Sequence, residues 1–249
     1  KKTQSGAFNH FLRVSGAAAL SGEAIAGCHD RGRYYLSKTR DDISYYKNRA
    51  EDLLKNASPL MDIYREESAR GLRAFLLADA ENTGKRRNIL SVPPLYSAEP
   101  EFLEELLKKR EIPAEDIDNI LEFARSQREL AEKILKNGGI TDEIPIISRE
   151  EFERHPAVLP LSGMFYGKDI RLTYDEFSEH IGQTERFMQT HENYIAEFTK
   201  ANAFRNLQIL IHEGQWAMIS KGNAPAIHFV IHHPKLRSAI ENFIPPVIE

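Results

Sequence analysis

The chain has 249 residues, 41% hydrophobic and 28% charged, an ordinary balance for a protein with a packed core. Its 33 Lys and Arg face 37 Asp and Glu, a formal charge of −4, so the whole chain does not read as a stand-alone binder of phosphate backbones. One cysteine, Cys28, excludes an internal disulfide framework and multi-cysteine metal sites. No apolar run approaches the ~18 residues of a membrane helix. Lys1-Lys2-Thr3-Gln4 leads into no signal-peptide core, so a cytoplasmic location with no membrane partner is expected.

In chain order, Phe8, Phe11, Leu12 and Val14 suggest a short helix, and residues 21–25 a second. Tyr34-Tyr35-Leu36 reads as a strand-like entry. Thr39, three residues before Asp42, can cap a helix. On that helix Ile43, Tyr46, Ala50, Leu53, Leu54 and Ala57 form one apolar stripe, ended by Pro59. Residues 60–64 alternate like a strand, and 69–80 read as a helix. Asn82-Thr83-Gly84 and Lys85-Arg86-Arg87 then read as a turn or exposed connection. Such a charge run is usually a solvated face, with phosphate contact as the sharper alternative.

Residues 89–150 read as a self-contained helical hairpin. Pro93-Pro94 imposes an extended stretch, and Pro100 suits a helix start. Ile117, Ile120, Leu121, Ala124, Leu130, Ile134 and Leu135 mark the longest helix, with Gly138-Gly139 supplying its C-terminal left-handed position. Thr173 and Glu176 form a capping box for a helix carrying Phe177, Ile181, Thr184 and Phe187. Three strands follow at 207–211, 216–220 and 227–231, and Pro234 opens a last helix with Leu236, Ala239, Ile240 and Phe243. The expected class is α+β, with helical N-terminal and middle segments and a C-terminal antiparallel β-meander packed by helices. The expected divisions are 1–88, mainly helical with some strand; 89–150, the hairpin; and 151–249, an effector-binding unit that segment 34–88 can join.

Seven of the nine histidines follow residue 150. Alternation puts Leu207, Ile209, Ile211, Ile227, Phe229 and Ile231 on a core face, expected beneath the Pro234 helix. It puts Gln208, Leu210 and His212 with His228, Val230 and His232 on a mixed face, which is solvated, covered by a partner or lining a pocket. His228 and His232 lie about 13 Å apart at strand rise, too far to share a tetrahedral ion, so neither metal nor cofactor is expected. Nucleophile elbow, phosphate loop and dinucleotide fingerprint are all missing. Cys28 beside His29 is better read as an inert thiol, Tyr34-Tyr35 and Tyr45-Tyr46 as core and interface aromatics, and Trp216 as core. The candidate ligand-binding residues are Arg205, His212, Lys221, His228 and His232. They point to a small anionic effector where the mixed face meets loops 202–206 and 221–225, since Gly222-Asn223 can turn backbone N–H groups toward an anion.

Several strings carry a resemblance: residues 34–43 (YYLSKTRDDI), 57–65 (ASPLMDIYR), 89–96 (ILSVPPLY), 161–166 (LSGMFY), 204–209 (FRNLQI), 216–221 (WAMISK), 225–231 (PAIHFVI) and 233–235 (HPK). Together they resemble the long C-terminal region of bacterial Cro/cI (XRE)-type helix-turn-helix transcriptional regulators. The resemblance implies a non-enzymatic sensory and oligomerisation region, a homodimer, that reaches DNA through a helix-turn-helix head missing from this chain or lying upstream. Glycines at 6, 16, 22, 27 and 32 interrupt any recognition helix before residue 33. The end of the chain is also similar to phospholipase-D-like sensory domains, without the paired His-Lys motif that gives those enzymes catalysis. The alternative is a small hydrolase or transferase using the histidine-bearing sheet face.

Overall fold

Alternation along residues 8–25 serves two faces of a hairpin. β1 (Phe8–Val14) pairs antiparallel with β2 (Ala19–Ile25), and β2 with β3 (Arg33–Ser37). Gly22 opposes Tyr34, and a Cβ there would lie 2.5 Å from the Tyr34 ring, so glycine lets the ring cross the central strand. The two short helices expected here are therefore strands. α1 (Arg40–Lys55) follows as expected, the Thr39 hydroxyl accepting from the Asp42 N–H at 3.3 Å. Its apolar stripe is not buried, however: Leu54 is 71% exposed.

A computed structural model describes residues 8–57, 59–200 and 206–245. The chain divides into two units, Lys1–Pro59 and Leu60–Glu249, in place of the expected divisions after 88 and 150.

The larger unit is built on one seven-stranded mixed sheet. Its strands are β4 (Met61–Arg65), β5 (Gly84–Ile89), β6 (Gly138–Pro145), β7 (Tyr194–Thr199), β8 (Gln208–His212), β9 (Trp216–Lys221) and β10 (Ile227–Ile231), in the order β4-β10-β9-β8-β5-β6-β7. The expected meander β8-β9-β10 is antiparallel, β4 and β5 extend it on either side, and β5, β6 and β7 run parallel. The helices are α2 (Ala69–Asp79), α3 (Pro100–Lys109), α4 (Ala114–Asn137), α5 (Arg149–Arg154), α6 (Ser162–Phe165), α7 (Tyr174–Thr190) and α8 (Pro234–Glu241). The class is α+β, as expected, although the N-terminal segment is a sheet with a helix.

Two strands depart from the sequence reading. The basic triplet lies in β5, where Arg86 is 4% exposed and Arg87 Nε donates to Glu143 Oε1 at 2.6 Å. Gly138, at the C-cap of α4, takes no left-handed position but starts β6 with Gly139. Gly138 is extended (φ −175°), and a Cβ on it would lie 1.9 Å from the Gly84 carbonyl oxygen, so glycine answers the close approach of β5. The hairpin is not self-contained either. Ala131 and Leu135 of α4 pack with Ile140, Ile144, Phe187 and Tyr194 from β6, α7 and β7.

Both sheet faces are covered. On the expected core face Ile209, Ile211 and Ala217 are buried with Ile89 against Ile240 and Phe243, from α8 and the residues after it, while Ile227 and Phe229 stay partly exposed. The mixed face is the more deeply buried. There Leu72 of α2 packs with Trp216, Met218 and Val230, and His212, Ser220 and His228 are buried among them.

Candidate functional site

α2 places its last residue, Asp79, over the sheet and gathers a network there. Asp79 Oδ1 accepts from His212 Nδ1 and Trp216 Nε1, both at 2.7 Å, and Oδ2 accepts from an Arg86 guanidinium nitrogen at 2.9 Å. His212 Nε2 lies 3.2 Å from the Thr83 carbonyl oxygen. Both ring nitrogens are thus engaged inside the protein, which corrects His212 from ligand contact to structural residue. Trp216 is core, as expected.

His228 stands two strands away from His212 on the same face. Its Nδ1 lies 2.6 Å from Ser220 Oγ, the two residues being cross-strand partners on β10 and β9. Burial pushes the imidazole down to about 4, so the ring is neutral at pH 7. Ser220 and His228 line a cavity of about 290 Å³ between α2, α4 and the sheet. Leu72, Leu76, Leu210 and Met218 supply apolar wall, and Arg70, Arg73 and Gln127 are among its polar groups. Apolar walls with a few convergent polar groups are the usual make-up of a small-molecule site.

Two further expected site residues do not join them. His232 is exposed beyond the end of β10, its Nε2 3.3 Å from Asp62 Oδ2 and its ring edge-on to Phe75. Lys221 donates to the Pro225 carbonyl oxygen at 3.3 Å and does not line the cavity. Arg205 lies outside the described residues, as does most of loop 202–206. Where that loop was expected to meet residues 221–225 there is a second, polar crevice of about 440 Å³, lined by Asn206 and Asn223 with Ser91, Arg154, Asp169 and Arg171. It sits outside the carboxyl ends of β5 and β6 rather than on the mixed face. Leu161 lines both the cavity and a narrow cleft that shares Asn206 and Asn223 with the crevice. Its backbone is left-handed (φ 65°), a conformation that costs energy for a branched residue.

In the sequence Ser220 has only a polar place at the end of its strand, and Arg70 and Arg73 only a three-residue spacing on a helix; the register of Ser220 with His228 comes from the sheet. Which helix would cover that face was not readable from either. Among the described residues no group of three or more His, Cys, Asp or Glu is placed to hold a metal ion, and no helix is long and apolar enough to cross a membrane.

A third buried polar cluster lies on β6. Asp142 accepts from Asn88 Nδ2 at 2.7 Å, from the Tyr194 hydroxyl at 2.8 Å and from the Tyr96 hydroxyl. Burial pushes its carboxyl up to about 6 against these hydrogen bonds, and burial also raises both tyrosines. On α7, His180 is buried with Nε2 3.0 Å from the Pro94 carbonyl oxygen and is pushed down to about 4 by burial. Neither group lines the cavity.

No family model matches the chain, and neither a curated protein nor a solved structure matches it.

Proposed function

We propose that the Leu60–Glu249 unit is the non-enzymatic effector-sensing part of a bacterial transcriptional regulator of the Cro/cI type, acting as a homodimer with a separate DNA-reading head. One observation carries the sensing role: a cavity of about 290 Å³ with apolar walls around the buried Ser220–His228 pair. It opens between two helices and the sheet, where a bound molecule touches three elements at once and biases their packing. The regulatory assignment rests on the sequence resemblance.

A thermal-shift screen against small metabolites tests the reading. A compound that fills the cavity at 100 times its dissociation constant adds about 2.7 kcal/mol of stability. Ser126→Phe, which projects a ring from α4 into the same space, should abolish that gain. The reading is wrong if no compound stabilises the chain, or if stabilisation survives the cavity-filling change.

The hydrolase or transferase alternative is favoured by a single contact, Ser220 Oγ to His228 Nδ1 at 2.6 Å. In serine hydrolases the base usually reaches the hydroxyl through Nε2, leaving Nδ1 for a carboxylate; here Nδ1 faces the serine. Covalent labelling of Ser220 by a fluorophosphonate, lost in His228→Asn, would favour the enzyme.

A further inference from the structure

Arg70 and Arg73 lie one turn apart on α2, and both line the cavity. Arg86, Arg87, Arg110 and Arg186 each have a carboxylate partner. The guanidinium groups of Arg70 and Arg73 have none among the described residues. Among the described residues no Asp or Glu lines the cavity either, so its described polar side carries two arginine cations and no anion. Beneath them the wall is hydrocarbon and thioether, from Leu72, Leu210 and Met218. The site therefore offers positive charge at its rim and an apolar surface within.

We propose that this cavity takes a single-chain amphipathic anion, its hydrocarbon tail seated against Leu210 and Met218 and its carboxylate held by Arg70 and Arg73. The proposal rests on the effector reading and names the ligand class. Space of about 290 Å³ holds one short chain as a free monomer rather than an element of a bilayer. Guanidinium forks match a carboxylate's two oxygens, and their exposed setting leaves the anion free to enter from water.

The test uses the chain's own reporter. Trp216, its single tryptophan, packs in one cluster with the wall residues Leu72 and Met218, and its emission, checked by thermal shift, is the readout. Titrations with octanoate, octanol, octylammonium and acetate separate charge from chain. Octanoate should bind about fivefold more tightly than octanol, the factor given by an exposed ion pair. Octylammonium should bind more weakly than octanol, and acetate and anionic phospholipid vesicles should leave emission unchanged. From hexanoate to octanoate each methylene should add about fourfold. Arg70→Gln with Arg73→Gln, both at exposed positions, should abolish the preference for octanoate while octanol binds as before. Equal binding of octanol and octanoate, a preference that survives the double variant, or a response to vesicles overturns the proposal and leaves the effector reading standing, provided Ser126→Phe, or Gln127→Phe should the first not fold, blocks octanol. Should neither compound bind in a manner that these fillings block, the proposal falls, and the effector reading then stands or falls on the metabolite screen.

Discussion

In the Lys1–Pro59 unit three strands and a 16-residue helix bury only two hydrophobic residues among those described, Ala19 and Ala24. In the Leu60–Glu249 unit three clusters of described residues cover both faces of a sheet, and a fourth packs α3, α4, α5 and α7 against one another. Secondary structure is well formed in both, so regular backbone and a core are separate achievements. A short helix is marginal alone and takes its stability from an apolar face that is covered. The charge differs as well. Up to Pro59 there are 10 basic and 6 acidic side chains, and after it 23 and 31. A division at residue 150 gives −1 and −3 and hides this contrast. The average of −4 therefore does not speak for the small unit, whose surplus is basic.

The contrast in burial is tested first where it is greatest. Asp79→Ala would leave the buried Arg86 cation without its carboxylate and strip partners from His212 and Trp216. Breaking such a pair costs about 3–5 kcal/mol, read as a lower urea midpoint. An unchanged midpoint would mean that the network is not buried as described.

Acid should weaken the larger unit next. His180 and His228 are held down to about 4 by burial, against about 6.5 in an unfolded chain. Their folded values are depressed and the neutral ring is the native form, so the unfolded chain takes up protons first. Stability is full above about pH 7 and falls as the pH drops from about 6.5 to about 4, by about 2 kcal/mol per ring at pH 5. Asp142 works in the opposite sense. Its raised carboxyl, at about 6, is a penalty at neutral pH that protonation relieves between about 6 and 4, offsetting part of the loss. Urea curves at pH 7 and pH 5 should show a net decrease, and His228→Asn should remove that ring's share. Equal midpoints at the two pH values for the native chain would contradict neutral buried rings.

A smaller effect is expected for Phe229→Ala. Full burial under α8 would make it cost about 3–5 kcal/mol, but the ring is partly exposed, so about 1–2 kcal/mol is expected. A cost above 3 would show that the face is covered in solution, by a second copy of the chain for instance. Leu54→Ala, in the smaller unit, should fall within about 0.5 kcal/mol of neutral. A large loss there would erase the contrast between the two units.

Local chemistry made much of this fold readable. The Thr39 cap, the Thr173–Glu176 box, Pro100 at a helix start and the alternation in β8, β9 and β10 act over a few residues and survive any packing. The errors arose where a partner far along the chain sets the conformation. Gly22 reads as a helix breaker until Tyr34 lies across it, and Gly138 as a left-handed cap until Gly84 meets it in the next strand. Lys85-Arg86-Arg87 reads as solvated until Asp79 and Glu143 supply carboxylates, one of them 56 residues away.

The candidate site followed the same division. Alternation alone assigned His212 and His228 to one face, because side chains on a strand have a period of two. It could not say that Asp79 engages one and Ser220 the other, nor that α2 and α4 close over the second to leave a cavity. By itself the sequence determined the α+β class, most helices and the two-faced strands, all products of nearest-neighbour preference and periodicity. The tertiary structure alone decided which face is deeper, which arginine is paired and where space remains, because burial and electrostatic partners are set by segments that only folding brings within a few ångströms of each other.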